Sequence, residues 1–236
     1  MGGVELSSLR LSDFDIHSEP LAGSETCRHT LYRAMLGDNS VVVKEYRLSS
    51  VSNRHKIKKE VQQLQRVAGP HIAELIAVFI EKFKAFVVQR YYEGGTLSMW
   101  VQRKRLETGG PKCVLPFEFW TKLLRGALIG LRRLHEAGII HCDIKPDNLF
   151  VGGDGVVVVG DLDVSRDVVQ RTQTLVMTTR ATSLAFTVGF AAPELMDGSA
   201  TSSFASDMYA FGQLLKVILL PDELEQYPVL NSLAEN

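Results

Sequence analysis

The residues of this chain that are best suited to chemistry lie in one short stretch, His141–Leu149. Within six residues it places a carboxylate (Asp143), an ammonium group (Lys145) and a carboxamide (Asn148). A carboxylate can orient a hydroxyl group and accept its proton. An ammonium group can neutralise a moving phosphoryl group, and an amide oxygen can bind a metal ion. The stretch therefore predicts a site for phosphoryl transfer.

A further carboxylate fits the same chemistry. Asp161 follows the apolar run Val156–Val159 and comes eighteen residues after Asp143. Mg²⁺ is a hard cation that prefers carboxylate oxygen, and an aspartate placed just after a strand suits it. Asp161 is therefore a candidate metal ligand, although an aspartate at such a point could also belong to a surface turn.

The first third of the chain has the pattern of strands and one helix. Two β-rich runs flank Gly37-Asp38-Asn39, which is a typical hairpin turn. A helix is predicted over about 52–68, because apolar residues recur at helical spacing until Gly69-Pro70 ends the pattern. The predicted strands are 14–16, 29–36, 40–46, 75–80 and 85–91.

Beyond Glu93-Gly94-Gly95 the pattern becomes mainly helical, so this tripeptide marks a boundary between two parts of the chain. The longest predicted helix covers 117–137, with one apolar face. A polar, Thr-rich stretch covers 166–187. The other predicted elements are helices at 97–104 and from near Ser206, and short strands at 149–151 and 156–159.

The order of these motifs resembles that of eukaryotic-type Ser/Thr protein kinases. His141–Leu149 is similar to the catalytic loop of that family, and Gly160–Asp163 to its magnesium-binding motif. Val41–Lys44 resembles its phosphate-binding strand, and Thr187–Glu194 the end of its activation segment. Asp207–Gly212 resembles the start of its central helix, where the aspartate holds the catalytic loop. Each motif is weak alone, but their order is specific.

The resemblance covers about residues 12–220 and implies an α+β fold with two lobes. An N-terminal lobe of about 10–92 would hold an antiparallel sheet and one helix. A hinge of about 89–95 would lead to a mainly helical C-terminal lobe, 96–236, that is incomplete compared with the family. All 236 residues would then form a single kinase domain.

The resemblance also implies roles for the candidate site residues. Asp143 would orient the accepting hydroxyl group and take its proton, and Lys145 would neutralise the transferring phosphoryl group. Thr187 would bridge toward both of these side chains. Asn148 and Asp161 would hold Mg²⁺.

ATP is the implied nucleotide. Lys44 would contact its α- and β-phosphates, and Glu60 would pair with Lys44, because Glu60 lies beside the inward stripe of its helix. Gly23 would belong to the loop over the phosphates, and Gln89 would guard the pocket behind the adenine. Backbone groups of three hinge residues would bind the adenine: Arg90, Tyr91 and Tyr92.

The phosphate-covering loop departs most from the family pattern. Kinases use three glycines there, so that backbone N–H groups can approach the phosphates closely. Gly23 is the only glycine between Leu21 and Leu36. The residues at the expected glycine positions are Ser24, Thr26 and His29. Weaker binding of ATP is therefore expected.

Two single residues also depart from the family. Cys142 replaces an arginine that normally pairs with a phosphate on the activation segment, so switching by that contact is not expected. Asp163 replaces a glycine, which adds a negative charge near the predicted metal ligands and could constrain the backbone.

Composition limits the other possibilities. The formal net charge of −1 and the absence of a basic tail argue against nucleic-acid binding. Three widely spaced cysteines favour free thiols in a reducing compartment, and no signal peptide or membrane-spanning run is visible. These features predict a cytoplasmic protein. The partners that the resemblance implies are ATP and a protein with accessible Ser or Thr.

Two alternatives remain open at this point. The poor glycine loop and Asp163 would also suit a pseudokinase, a binding or scaffolding module with little catalysis. A small-molecule phosphotransferase with the same fold is a second alternative. Ala192-Pro193-Glu194 and the long activation segment argue against it, because those features serve protein substrates.

Overall fold

The computed structural model describes residues 6–22, 29–48, 51–168 and 187–235. The chain divides into two compact units, Met1–Tyr91 and Tyr92–Asn236. Gly23 and most of the Thr-rich stretch lie outside the described residues. The first unit holds a sheet and one helix, and the second is mainly helical, so the predicted α+β class is confirmed.

The first unit is built on a five-stranded antiparallel sheet with the order β1-β2-β3-β5-β4. Its strands are β1 (Asp15–Ala22), β2 (Thr30–Leu36), β3 (Asn39–Arg47), β4 (Leu75–Glu81) and β5 (Lys84–Arg90). The turn between β2 and β3 needs only Gly37, at φ +57°, and Asp38, because Asn39 already pairs with Leu36. Glycine adopts this left-handed conformation without a steric cost.

One helix, α1 (Val51–Arg66), packs on this sheet. Ile57 and Val61 are fully buried and share a core cluster with Tyr46, Val78 and Val87 of the strands. The helix is therefore oriented by its apolar stripe, as its spacing predicts, and the residues beside that stripe are directed toward β3.

The second unit begins with β6 (Gly95–Thr96) and α2 (Leu97–Thr108) and is centred on α3 (Phe117–Glu136). Buried residues recur along one face of α3: Trp120, Leu123, Leu124, Ala127, Leu131 and Leu134. Among them Trp120 is fully buried. The 20-residue helix is therefore the main apolar support of the second unit.

Short strands frame the catalytic stretch. They are β7 (Ile139–Ile140), β8 (Leu149–Val151), β9 (Val157–Val159) and β10 (Arg166–Asp167). β8 and β9 form a hairpin whose turn contains Gly155 at φ +78°, and β7 pairs with β10. Residues 141–148 are thus held between two paired strands rather than in a free loop.

Four helices follow among the described residues: α4 (Pro193–Met196), α5 (Phe204–Ile218), α6 (Pro221–Gln226) and α7 (Pro228–Glu235). α6 and α7 were not predicted, although proline occupies the first position of each. α5 begins two residues before its predicted start, with Ser203 as a capping residue. In the described part of the chain, no helix has the length and apolar character needed to cross a membrane.

A buried ion pair connects α2 with α6. Glu223 is fully buried and accepts hydrogen bonds from both terminal nitrogens of Arg105, at 3.0 and 2.6 Å. It also accepts from the backbone N–H groups of Leu115 and Leu220 and from the indole N–H of Trp120. These donors compensate the carboxylate for its loss of water, which is what a buried charge requires.

We expect Glu223→Gln to destabilise the protein by about 3–5 kcal/mol, because it leaves the guanidinium of Arg105 buried and without its anion. The measurement is chemical denaturation at neutral pH. The control is Glu136→Gln, which breaks the exposed pair between Arg132 and Glu136 and should change stability by less than about 1 kcal/mol. Equal effects of the two variants would contradict the importance of the buried pair.

Candidate active site

In the first unit, Lys44 and Glu60 form a direct ion pair. The Nζ atom of Lys44 lies 3.1 Å from Oε1 of Glu60, and both residues are buried. The other carboxylate oxygen accepts a 2.8 Å hydrogen bond from the hydroxyl group of Tyr46. The pairing between strand and helix is as the sequence predicted, while the role of the pair stays a prediction.

Tyr46 is a member of this cluster that the sequence analysis missed. It lies two residues after Lys44, so both side chains are on the same face of β3. A buried ion pair is stable only if its remaining hydrogen-bonding positions are filled, and the phenol group fills one of them. In the sequence, the signal was the two-residue spacing between Lys44 and Tyr46. That spacing indicates a shared contact only when the position of Glu60 is known.

The phosphate-covering loop is only partly within the described residues. Gly23, Ser24 and Thr26 lie outside them. His29 is described, and its ring lies 5.0 Å from that of Tyr46 in a tilted arrangement. The side chain at this expected glycine position is therefore packed against the residue that holds Glu60.

The hinge residues are placed as follows. In the first unit, the N–H group of Arg90 donates to the carbonyl of Glu74, and that of Tyr91 donates to the carbonyl of Ser40. Any backbone contact of these two residues with adenine would therefore use their carbonyl groups. Tyr92 belongs to the second unit, where its ring stacks on Phe150.

Gln89, the predicted guard of the back pocket, is buried in β5, with 6% of its surface exposed. Its Nε2 atom has no hydrogen-bond partner among the described residues. A buried donor without a partner costs roughly 1–3 kcal/mol. The amide group is therefore available to a polar ligand.

In the second unit, Asp143, Lys145 and Thr187 form a closed set of contacts. The Nζ atom of Lys145 is 2.7 Å from Oδ2 of Asp143 and donates to Oγ1 of Thr187 at 2.9 Å. The Thr187 hydroxyl and backbone N–H groups both donate to Oδ1 of Asp143, at 2.8 and 3.2 Å. These three predicted catalytic residues are therefore brought together across 44 residues of sequence.

Asn148 joins the same group. Its Nδ2 atom donates to the backbone carbonyl of Asp143 at 2.7 Å and to Oδ2 of its carboxylate at 2.9 Å. Because the nitrogen faces Asp143, the amide oxygen is the atom left to bind a cation. The proline at position 146 starts the short 3₁₀ turn Pro146–Asn148 that places this amide.

The contacts of Asp143 change its acidity. Burial by itself disfavours the charged form. The ammonium group of Lys145 and the hydrogen bonds from Thr187 and Asn148 together outweigh burial and hold the pKa of Asp143 below its ordinary value of 3.8. The carboxylate is thus ionised at neutral pH and able to accept a proton.

Asp161 is tied to the catalytic stretch through its neighbour Gly160. The Gly160 N–H group donates to the carbonyl of Asn148 at 3.0 Å, and its carbonyl accepts from Nε2 of His141 at 2.8 Å. One hydrogen bond therefore joins the backbone of Asn148 to the residue directly before Asp161. Asp161 itself adopts φ +58°, which aspartate tolerates better than most residues.

Asp163, which replaces a glycine of the family pattern, does not strain the backbone. Asp163 is not among the described residues with positive φ, so no glycine is needed there. Leu162 is buried, and its carbonyl accepts from the Ser165 hydroxyl at 2.7 Å. The expected backbone constraint is therefore absent, and only the added charge of Asp163 remains.

The backbone of the catalytic stretch is held by Asp207 of α5. Oδ2 of Asp207 accepts from the N–H group of His141 at 2.8 Å, and Oδ1 accepts from that of Cys142 at 2.9 Å. Cys142 has φ +71°, a left-handed conformation that costs a non-glycine residue energy. Nε2 of His135 also lies 2.9 Å from Asp207, a contact that the sequence analysis did not anticipate.

Glu194, at the end of the activation segment, forms no ion pair with any residue that the structure describes. The buried arginine that the structure shows, Arg105, is paired with Glu223. Glu194 is instead fixed through its backbone, since its carbonyl accepts a hydrogen bond from the N–H group of Ala200.

Comparison with known proteins agrees with this geometry. The model of the protein kinase domain family matches residues 29–227. Because that match covers most of the chain, the protein belongs to the protein kinase family.

Individual relatives are more distant. The chain is 26% identical over 84% of its length to a bifunctional serine/threonine-protein kinase/NEDD4-like E3 ubiquitin-protein ligase of Dictyostelium discoideum. It is 36% identical over half its length to SNF1-activating kinase 1 of Saccharomyces cerevisiae. It is 28% identical over 80% of its length to a receptor-like protein kinase of Arabidopsis thaliana whose name describes it as inactive. The chain spans 10%, 10% and 30% of these three proteins.

We expect Lys145→Met to raise the pKa of Asp143, because the variant removes a hydrogen bond and a positive charge while burial remains. A titration of the aspartate side-chain carboxyl groups by NMR measures this value. Asp197, whose pKa is lowered mainly by hydrogen bonds from Ser199, is the internal control and should not move.

The sign of the linked stability follows from the lowered pKa. Ionised Asp143 stabilises the fold at pH values above its unfolded pKa of about 4, and this contribution is lost as the pH falls through the folded pKa. An unchanged Asp143 pKa in the Lys145 variant would contradict the assigned contacts.

We expect Asp207→Asn to lower the stability of the protein by about 3 kcal/mol and also to lower phosphoryl transfer. The amide of the new asparagine cannot accept hydrogen bonds from the N–H groups of both His141 and Cys142, as the carboxylate does. Denaturation and activity are measured on the same preparation. Asp222→Asn, the same change at an exposed residue of α6, is the control. A stable and fully active Asp207 variant would contradict the role of this carboxylate.

Proposed function

We propose that this protein transfers the γ-phosphoryl group of ATP to serine or threonine hydroxyl groups of protein substrates. The observation that carries the proposal is the closed set of contacts among Asp143, Lys145 and Thr187, with Asn148 beside it. This arrangement offers an ionised base and a cation within hydrogen-bond distance of each other before any substrate is bound. Family membership supports the same reaction class.

Asp143 is the group that acts on the protein substrate. Its lowered pKa keeps it ionised, so it orients the accepting hydroxyl group and receives its proton during transfer. Thr187 holds one of its oxygens by two hydrogen bonds, which fixes the direction of the other. Lys145 contacts both residues and supplies positive charge where the phosphoryl group would pass.

The residues fit a magnesium ion. The free amide oxygen of Asn148 and the carboxylate of Asp161 are hard oxygen ligands of the kind that Mg²⁺ prefers. When bound, Mg²⁺ neutralises the phosphate oxygens and orients them for transfer. The hydrogen bond between Gly160 and Asn148 keeps the backbone of the two ligands together.

Residues of the first unit would bind the nucleotide. Lys44 is held in place by Glu60, and its ammonium group would contact the α- and β-phosphates of ATP. The carbonyl groups of Arg90 and Tyr91 would face the adenine. We further propose that the protein works in the cytoplasm, because its few, widely spaced cysteines suit a reducing compartment.

A second candidate function is a pseudokinase that binds partners without transferring phosphate. Two observations favour it. Only one glycine is available for the phosphate-covering loop, and one relative is named as inactive. The intact contacts of Asp143 and of Lys44 favour the enzyme.

The experiment is a phosphoryl-transfer assay with radiolabelled ATP, Mg²⁺ and a general protein substrate. We expect Asp143→Asn to reduce transfer at least about 100-fold, because the variant loses the base. Asp38→Asn, the same change in the exposed turn of β2 and β3, should be as active as the wild type. Cys142 stands where the family normally has an arginine that binds a phosphate on the activation segment. We therefore expect activity without prior phosphorylation of that segment.

Binding of ATP is measured on the same proteins by thermal shift. If the wild type transfers no more phosphate than Asp143→Asn, the enzyme proposal is wrong. Nucleotide binding without transfer would then favour the pseudokinase.

A further inference from the structure

The outward face of α1 carries only positive charge. The helix contains Arg54, Lys56, Lys58, Lys59 and Arg66, and its single carboxylate is Glu60. Glu60 is buried against Lys44 and Tyr46. Positions 51, 54 and 58 fall on one side of the helix, next to the buried stripe of 57, 61 and 64 and away from Glu60.

These cations lie where they do not help the helix. The first turn of α1 contains no acidic residue, although the positive end of the helix dipole favours one there. Arg54, Lys56 and Lys58 all belong to the N-terminal half. Local stability therefore does not explain the pattern, whereas binding to an anion would.

Two large apolar side chains stand in solvent beside these cations. Val51 is 83% exposed at the start of α1, and Phe83 is 87% exposed at the tip of the β4–β5 turn. Lys82 and Phe83 form this two-residue turn with φ values of +47° and +63°. Turns of this shape usually take asparagine and glycine, so an exposed phenylalanine here needs another explanation.

Hydrogen bonds connect the turn with the helix. The carbonyl of Phe83 accepts from the N–H group of Leu48, and the carbonyl of Leu48 accepts from the side chain of Arg54 at 3.5 Å. The start of α1 and the tip of the turn are thus neighbours through the end of β3. We name Val51, Arg54, Lys58, Lys82 and Phe83 the basic–apolar surface.

Little in the described part of the chain neutralises this surface. Arg54, Lys58 and Lys82 form no ion pair with a described residue. The two carboxylates near the turn are engaged elsewhere. Glu45 pairs with Lys84 at 2.6 Å, and Glu81 accepts from the N–H group of Leu11.

We propose that the basic–apolar surface binds the surface of a bilayer that contains anionic lipids. Cations beside an exposed aromatic side chain match such an interface, because lipid phosphates attract the cations and the apolar tip enters the boundary of the acyl chains. An acidic peptide would form ion pairs with the cations. It would still leave Phe83, at the tip of a tight turn, exposed to water. The site residue Glu60 faces the opposite side of α1, so membrane binding leaves its pair with Lys44 intact.

The test is co-sedimentation of the full chain with vesicles of phosphatidylcholine alone or with about 30% phosphatidylserine. We expect binding only to the anionic vesicles and its loss at high salt. Arg54→Glu and Lys58→Glu should each reduce the partition coefficient about fivefold or more. Phe83→Ser should also reduce it, without changing the salt dependence.

The variants separate binding from folding. Arg54→Glu places an acid in the first turn, so its melting temperature should equal or exceed that of the wild type while binding falls. Lys216→Glu and Val229→Ser are matched changes at exposed positions of the second unit and should bind as the wild type does. Absence of vesicle binding, equal loss in the control variants, or binding to polyglutamate but not to vesicles would each overturn the proposal.

Discussion

The carboxylate of Asp207 fixes the backbone from which the candidate catalytic groups project. Its two oxygens accept the N–H groups of His141 and Cys142, and Cys142 is thereby kept at a positive φ that it would otherwise avoid. This conformation turns the chain so that Asp143 meets Thr187. Without such an anchor, the short span between β7 and β8 would have several conformations of similar energy.

Two buried ion pairs serve different purposes in the molecule. The pair of Lys44 and Glu60 holds an ammonium group in a fixed place in the first unit, with Tyr46 as a third member. The pair of Arg105 and Glu223 has no group left for a ligand and instead joins α2 to α6. Both satisfy the same requirement, because a charge removed from water needs several hydrogen bonds.

The departures from the family pattern fall on positions that these anchors do not use. Asp207 binds the backbone of Cys142, so the identity of that side chain does not affect the anchor. Asp163 has a backbone conformation open to any residue. His29 packs on Tyr46 rather than leaving a gap. The chemistry of the site and its regulation can therefore vary separately.

The sequence alone predicted what depends on local pattern. The strands, α1 and α3 follow from hydrophobic spacing, and the turn at Gly37 follows from glycine's freedom at positive φ. The order of the motifs was enough to predict the kinase family, since several motifs in order are far more specific than one.

The tertiary structure decided what depends on distant residues. The roles of Tyr46 and His135 needed Glu60 and Asp207 in place, because a hydrogen-bond partner is set by distance in space and not along the chain. The partner of Arg105 could not be predicted for the same reason, since Glu223 lies 118 residues away. In the opening stretch, the residue types indicated the chemistry, and only the fold showed which contacts lower the pKa of Asp143 and that Thr187 donates to its carboxylate.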